Sequence, residues 1–339
     1  MAQELISQMK LEKYRDSIKR AEQWLLSIQN PDGSMNPVEK GPLTYYKVPQ
    51  GFVIAGRLEE ANSLLDWAKR EIFTPDGDFK AERKGFHYFH YTYSSAWFIW
   101  AAQVLGRFDV SFKGMEYLRK FRNLKTGGYC SEAVYSEKNH NEQDILTISF
   151  NSFVGLHLGM VEEAIEAADL ISQIFEQQPD PDEIVWLRVD ENGNLIKNVP
   201  DRCSERRYYV LEVKAPAQYY YYLGAVMVFL TKLYAITNDR QHFELANSVF
   251  NICLNCHQDV FLTDGTGKVG LGSAYLYEVT QEEKYADAAQ RSCDFLVSDQ
   301  HPDGYWIRGG QPTASSTAEF VVWLSEAVAI LSKKKEFKS

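Results

Sequence analysis

The residues of this 339-residue chain best placed for chemistry are polar side chains at the starts of otherwise apolar stretches. They are Tyr45, Tyr46 and Lys47; His87, His90 and Tyr91; Asp144; Gln218 and Tyr219; Lys268; and Glu319. If those stretches are helices, their N-termini offer free N–H groups and partial positive charge to a ligand. A capping role accounts for Asp144 and for Ser316 equally well. Asp144 and Glu319 have few charged neighbours in sequence, so burial could raise either pKa and make it a general acid or base. Lys47 or His90 would be the complementary group, with Tyr46 helping to orient the polar end of a substrate. Two carboxylates facing each other across a pocket would also serve glycoside hydrolysis.

Other groupings carry further chemistry. His87 and His90, three residues apart, could share a helix face for metal binding or proton shuttling, or could stack in a loop; the flanking Phe86, Tyr88, Phe89, Tyr91 and Tyr93 form a crowded aromatic cluster that suggests a pocket wall. Arg202, Arg206, Arg207 and Lys214 could receive a carboxylate or phosphate, or form a solvated face. Cys253-Leu-Asn-Cys256-His257 spells the c-type haem attachment string, and Cys256, His257 and Cys203 are apt zinc ligands. Buried helix cysteines are the favoured alternative, so the expectation is no cofactor, with zinc the less favoured option.

Positioning these groups requires a large folded frame. Hydrophobic residues make up 45% and charged residues 24%, which excludes a disordered chain. A net charge of −10 opposes nucleic-acid binding, which needs a basic surface. No apolar run approaches the ~18 residues of a membrane span, and the start lacks a signal-peptide pattern. Five cysteines without paired spacing suit a reducing compartment, so the chain is expected in the cytoplasm. A small molecule is the expected partner, and no obligate protein partner is called for. Aromatic residues reach 14%, more ring surface than a core alone uses, which suggests a lined cavity.

Internal repeats supply the frame. Leu233-Tyr-Ala-Ile-Thr237, then Phe243 and Ala246, recurs as Leu276-Tyr-Glu-Val-Thr280, then Tyr285 and Ala288. Helix stops recur as well: Gln29-Asn-Pro-Asp-Gly33-Ser-Met35, Thr74-Pro-Asp-Gly77, Lys125-Thr-Gly-Gly128 and Gln300-His-Pro-Asp-Gly304-Tyr-Trp306. With these as punctuation, charged amphipathic helices fall near 8–28, 59–72, 112–121, 160–176, 240–256 and 283–298. Helices apolar nearly all round fall near 44–56, 91–105, 144–158, 215–235, 268–279 and 314–332. The pattern predicts an all-α ring of six hairpins, outer helices alternating with inner ones, over a single domain spanning 1–339. One interruption, 184–213, reads as a β insertion with a hairpin turn at Asn192-Gly193. An insertion of about 30 residues exceeds ordinary connections and is more often functional.

The chain resembles the α/α-toroid proteins of the terpenoid cyclase and protein prenyltransferase group. Gln300, Gly304 and Trp306 match that group's Gln-x-x-x-Gly-x-Trp repeat; Gln29 and Gly33 match it with Met35 at the Trp position. It is also similar to six-hairpin carbohydrate enzymes, whose repeats carry Leu-Tyr-x-x-Thr followed by Tyr-x-x-Ala, as Leu276–Ala288 does. Both resemblances imply an (α/α)6 barrel. The cyclases' Asp-x-Asp-Asp acid has its nearest counterpart in Asp180-Pro-Asp182-Glu183, and the prenyltransferases' zinc set in Asp201-Arg-Cys203 and His257. The function expected is acid/base cyclisation, isomerisation or elimination of a small hydrophobic metabolite. Asp144, Glu319, His90, Lys47 and Tyr46 would be catalytic, and Tyr45, His87, Tyr91, Gln218, Tyr219, Lys268 and Arg206 would bind substrate. The alternatives are a carbohydrate hydrolase, lyase or epimerase, and a non-catalytic binding toroid.

Overall fold

The computed structural model describes residues 2–37, 41–133, 141–263 and 265–333. Its helices pair along the chain, an amphipathic one followed by an apolar one. α1 (Ala2–Ser27) precedes α2 (Val48–Ile54). α3 (Leu58–Glu71) precedes the single turn α4 (Phe86–Phe89) and then α5 (Tyr93–Val104). α6 (Phe108–Arg119) precedes α7 (Ile145–His157), and α8 (Val161–Glu176) precedes α9 (Tyr221–Thr237). α10 (Arg240–Asn255) precedes α11 (Thr266–Thr280), and α12 (Glu283–Asp299) precedes α13 (Ala314–Leu331).

The apolar members α2, α5, α7, α9, α11 and α13 pack side by side in that order, and α13 returns to α2, closing an inner ring. The charged members stand outside it. α3 shows their logic: Glu59 and Glu60 open the helix and Lys69 and Arg70 end it, complementing its dipole, while Ala61, Leu64, Leu65 and Ala68 face inward. α13 is long and apolar enough by composition to cross a bilayer, contrary to the expectation that no segment is, and 61% of it is buried within the protein. That apolarity is what an inner-ring position demands.

Both repeats have a physical basis. In Leu233–Thr237 and Leu276–Thr280 the threonine hydroxyl donates to the leucine carbonyl. The next residue, Asn238 or Gln281, takes a left-handed conformation and donates its N–H to the tyrosine carbonyl, ending the helix. The glycine stops do more than end helices. Gly33, Gly77 and Gly304 all have φ near +90°, and a Cβ there would lie 2.1–2.3 Å from the carbonyl oxygen of Ser63, Lys113 or Arg20. Each stop is therefore pressed onto an outer helix, α3, α6 or α1, with no room for a side chain. The Gln300 amide donates to the Ser17 and Gly304 carbonyls, so the last stop seals onto the first helix.

Two expectations need correction. The first inner helix begins at Val48 rather than near 44, because Pro49 belongs in a first helical turn; Tyr45, Tyr46 and Lys47 lie in the turns before it. The Asn192-Gly193 turn forms, but only the bridge Val189–Leu195 closes it. After the turn, exposed Asn194, Lys197 and Asn198 leave too little apolar face to hold a strand. Instead β1 (Gln143–Asp144) pairs with β3 (Arg188–Val189), while β2 (Ile184–Trp186) pairs with β4 (Val210–Glu212). The insertion is thereby stitched to the start of α7. A last hairpin, β5 (Ile307–Arg308) with β6 (Gln311–Pro312), precedes α13.

Candidate active site

A chamber of about 250 Å³ lies where the inner helices begin. Tyr46 and Lys47 reach it from the turn before α2, Tyr93 from the start of α5, Leu146 from α7 and Tyr221 from α9. Lys268 comes from the first turn of α11, and Ser316, Glu319 and Trp323 from successive turns of α13. Phe86 closes one side, and the β insertion contributes Tyr208, with Tyr219 on the approach to α9. Tyr46, Lys47, Arg308 and Ser316 also line a wider vestibule of about 930 Å³, which holds His87, Trp24 and the β5–β6 hairpin. Among the described residues that line either space, Glu319 supplies the only carboxylate.

Glu319 is gripped from both sides. The Lys47 ammonium donates to Oε2 and the Lys268 ammonium to Oε1, with all three residues 7–8% exposed. Lys47 Nζ lies 5.2–5.6 Å from the ring centres of Tyr46, Tyr93 and Trp97, and Lys268 Nζ lies 5.4–5.7 Å from those of Tyr93, Tyr221 and Trp323. Burial alone would raise the Glu319 pKa, but the two lysines outweigh it and hold the carboxyl down at about 2. The expected raised pKa is therefore corrected: the group is ionised at rest. Burial pushes the phenols of Tyr46, Tyr93 and Tyr221 well above their ordinary value, so they remain hydrogen-bond donors.

His90 and Asp144 come together, but behind the wall. Both are fully buried, with His90 Nε2 3.6 Å from Asp144 Oδ1. Burial drops the His90 pKa to about 4, so the ring is neutral. Nδ1 lies 2.9 Å from the Phe86 carbonyl, which can only accept, so Nδ1 carries the hydrogen. Nε2 then accepts from the Tyr222 hydroxyl at 2.6 Å. Asp144 caps α7, accepting from the N–H groups of Leu146 and Thr147 and from the Thr147 hydroxyl. Burial raises its pKa, but the Arg188 charge and these bonds outweigh that and keep it lowered, which corrects the second raised-pKa expectation. Phe86 stacks on His90 with ring centres 4.4 Å apart, so this pair shapes the chamber from outside it.

The remaining predicted residues divide. Tyr219 stacks on Tyr208 and Tyr221 in the chamber wall. His87 packs edge-on to Tyr46 at the vestibule; burial and the nearby Lys47 charge push its pKa down to about 3. Tyr45 turns to Trp67 and Tyr91 to Phe121, both away from the chamber. Gln218 accepts from the Glu212 N–H, and Arg206 pairs with Glu212 outside. The other cations of that cluster are engaged too: Arg202 with Glu132 and Glu142, Arg207 with Glu205, and Lys214 with the Asn255 carbonyl. Of the two readings of this cluster, an anion receptor or a solvated face, these partners leave no shared receptor among the four cations. Among the described residues no three His, Cys, Asp or Glu side chains are arranged to hold a metal, so Cys203, Cys256 and His257 do not assemble as a zinc set.

Of the aromatic cluster expected as a wall, Phe86 and Tyr93 line the chamber. Sequence reasoning missed Tyr208, Tyr221, Arg308 and Trp323 as lining residues, though Tyr221 carried a usable signal, since it opens an inner helix. It also missed Arg188, fully buried, which donates to the Tyr208 and Phe89 carbonyls and ties the insertion beneath the site. A charge inside the run Ile184–Val189 was the available clue.

No family model and no curated sequence matches the chain. Solved structures do match in architecture. A GH76A α-1,6-mannanase from Salegentibacter sp. HEL1_6 is 12% identical with TM-score 0.64, covering 94% of this chain and 99% of its own. An unsaturated glucuronyl hydrolase specific for heparin is 11% identical with TM-score 0.61, covering 95% and 96%. The type II terpene cyclase MstE from Scytonema, bound to geranylgeranyl dihydroxybenzoate, is 14% identical with TM-score 0.58, covering 95% and 99%. The ring of six hairpins, its glycine stops and these likenesses agree: the chain has the α/α-toroid fold.

Proposed function

We propose that this protein is an enzyme that moves a proton on a small, largely apolar metabolite held in the aromatic chamber. The observation that carries this reading is Glu319, a buried carboxylate facing the chamber between two ammonium groups. Because the lysines hold it ionised, Glu319 begins as a base, which favours isomerisation or elimination over a cyclisation started by a protonated acid. As a substrate group draws Lys47 or Lys268 away, the carboxylate loses the charges that depress its pKa and becomes a stronger base at the moment of reaction. The same ammonium groups stabilise negative charge developing on the substrate, and the protonated phenols of Tyr46, Tyr93 and Tyr221 offer hydrogen bonds to a carbonyl or leaving group. His90 and Asp144 act as positioning residues through Phe86. An apolar substrate accords with the ring-lined walls, and MstE, a toroid of the same architecture, binds a geranylgeranyl compound.

A carbohydrate substrate is the second reading, favoured by the wide vestibule with Trp24 beside Asn36 and Thr44. Hydrolysis by a carboxylate pair lacks its second member among the described lining residues. The test is a ligand screen with isoprenoid, polyketide-like and sugar panels, followed by turnover of the hits in D₂O. Deuterium gained at carbon, lost at least 1,000-fold in Glu319→Gln, is the expected result. Full turnover by that variant would overturn the assignment.

A further inference from the structure

We infer that Lys47 and Lys268 form a receptor for one monoanionic group, making the ligand of this chamber a carboxylate on an aromatic or apolar body. The inference rests on the chamber being the substrate site. It begins with a charge count. Two ammonium groups share one carboxylate, so the buried triad carries one uncompensated positive charge. The other cation of the lining, Arg308, has its guanidinium 3.5 Å from Asp299 and does not call for the same anion.

Hydrogen bonding points the same way. An ammonium has three N–H donors. Among the described residues, each lysine finds one acceptor, a different oxygen of Glu319, and the remainder of its surroundings is ring surface. Ring faces attract a cation but do not replace hydrogen bonds, and a buried charge without an acceptor is unfavourable. An ion pair serving only to brace α11 against α13 would be satisfied by Lys268 and Glu319 alone. The second lysine makes the site incomplete until another anion arrives.

The count also sets the ligand's charge. One negative charge brings the group to neutrality, with donors on both lysines bridged by a carboxylate. A phosphate dianion overshoots it, and a neutral group leaves the excess in place. The surrounding phenyl and indole faces select the body, and a chamber of about 250 Å³ keeps that body small.

The test uses the whole chain and four probes: benzoate, benzamide, phenyl phosphate and acetate, with dissociation constants from ligand-observed NMR at pH 7. Benzoate is expected to bind at least tenfold more tightly than each of the others. Lys47→Met and Lys268→Met should each weaken benzoate tenfold or more. Glu319→Gln should tighten it, since removing the internal competitor leaves two unshared ammonium groups, whereas a merely structural triad would give no gain. Equal binding of benzoate and benzamide, or a preference for phenyl phosphate, would overturn the inference, and the wild-type comparison needs no variant to fold. Benzoate selectivity without turnover of any compound would sink the catalytic reading alone. Turnover of a neutral substrate without benzoate selectivity would sink this inference alone.

Discussion

His90 should make the protein lose stability on mild acidification, and the size of the loss follows from its surroundings. In the folded state the ring is neutral with a pKa of about 4, held so by burial, which with the Arg188 charge outweighs the opposing pull of Asp144 and the Phe86 carbonyl. Unfolded, it titrates near 6.5. Between those values the unfolded chain takes up a proton that the folded one refuses, so the stabilisation is complete above pH 6.5 and drains away as pH falls towards 4. One proton is worth about 1.4 kcal/mol per pH unit, or roughly 2 kcal/mol between pH 6.5 and 5. That is a visible share of a typical folding free energy of about 5–15 kcal/mol. Other depressed histidines add to the total slope, so the readout is the difference between wild type and His90→Gln. Urea unfolding followed by tryptophan fluorescence at several pH values gives both slopes. The variant will be weaker throughout, having lost the ring stacked on Phe86, but its slope should be shallower by about one proton. Equal slopes would show that His90 is not held neutral and would undo the tautomer assignment.

Other expectations are as direct. Gly304→Ala should cost at least about 2 kcal/mol in urea unfolding, since a Cβ there meets the Arg20 carbonyl at 2.3 Å and φ is +99°; a loss below 0.5 kcal/mol, on the order of a neutral surface change, would mean the stop is not pressed onto α1. Arg188→Met removes the buried cation beside Asp144 and Glu142 and takes the donors from the Tyr208 and Phe89 carbonyls. It should lose ~3–5 kcal/mol, and an unchanged urea midpoint would contradict a buried, working cation.

How much of this was legible in the sequence depended on the kind of information required. Inner and outer helices separated because burial on every side demands an apolar helix, and the glycine stops stood out because only glycine fits them. Lys47, Lys268 and Glu319 were visible as polar starts of apolar helices. Their convergence was not, because Lys47 and Lys268 lie 272 and 51 residues from Glu319 and helix periodicity does not fix which way a helix end turns. The raised-pKa expectation failed for that reason: with counter-charges supplied by distant elements, local sequence showed only the burial. The aromatic run Phe86–Tyr93 was read as one wall, yet Phe86 and Tyr93 line the chamber while Tyr91 turns to Phe121. Tyr208 was hidden by strand pairing, since β3 chose β1 over its hairpin neighbour.

α1 finds its chief partners on the far side of the repeat series, in α13 and α12. Lys10 and Tyr14 bond Asp294, and Ser17 and Arg20 bond Gln300, so these side-chain bonds reach α12 and the turn that ends it. Leu11, Tyr14, Ala21 and Leu25 are buried in the finished protein, where α13 and α12 are the helices that chiefly pack on α1. Bringing together elements so far apart in sequence costs loop-closure entropy that the hairpin contacts do not. The ring therefore closes like a clasp, with distant elements meeting at one seam.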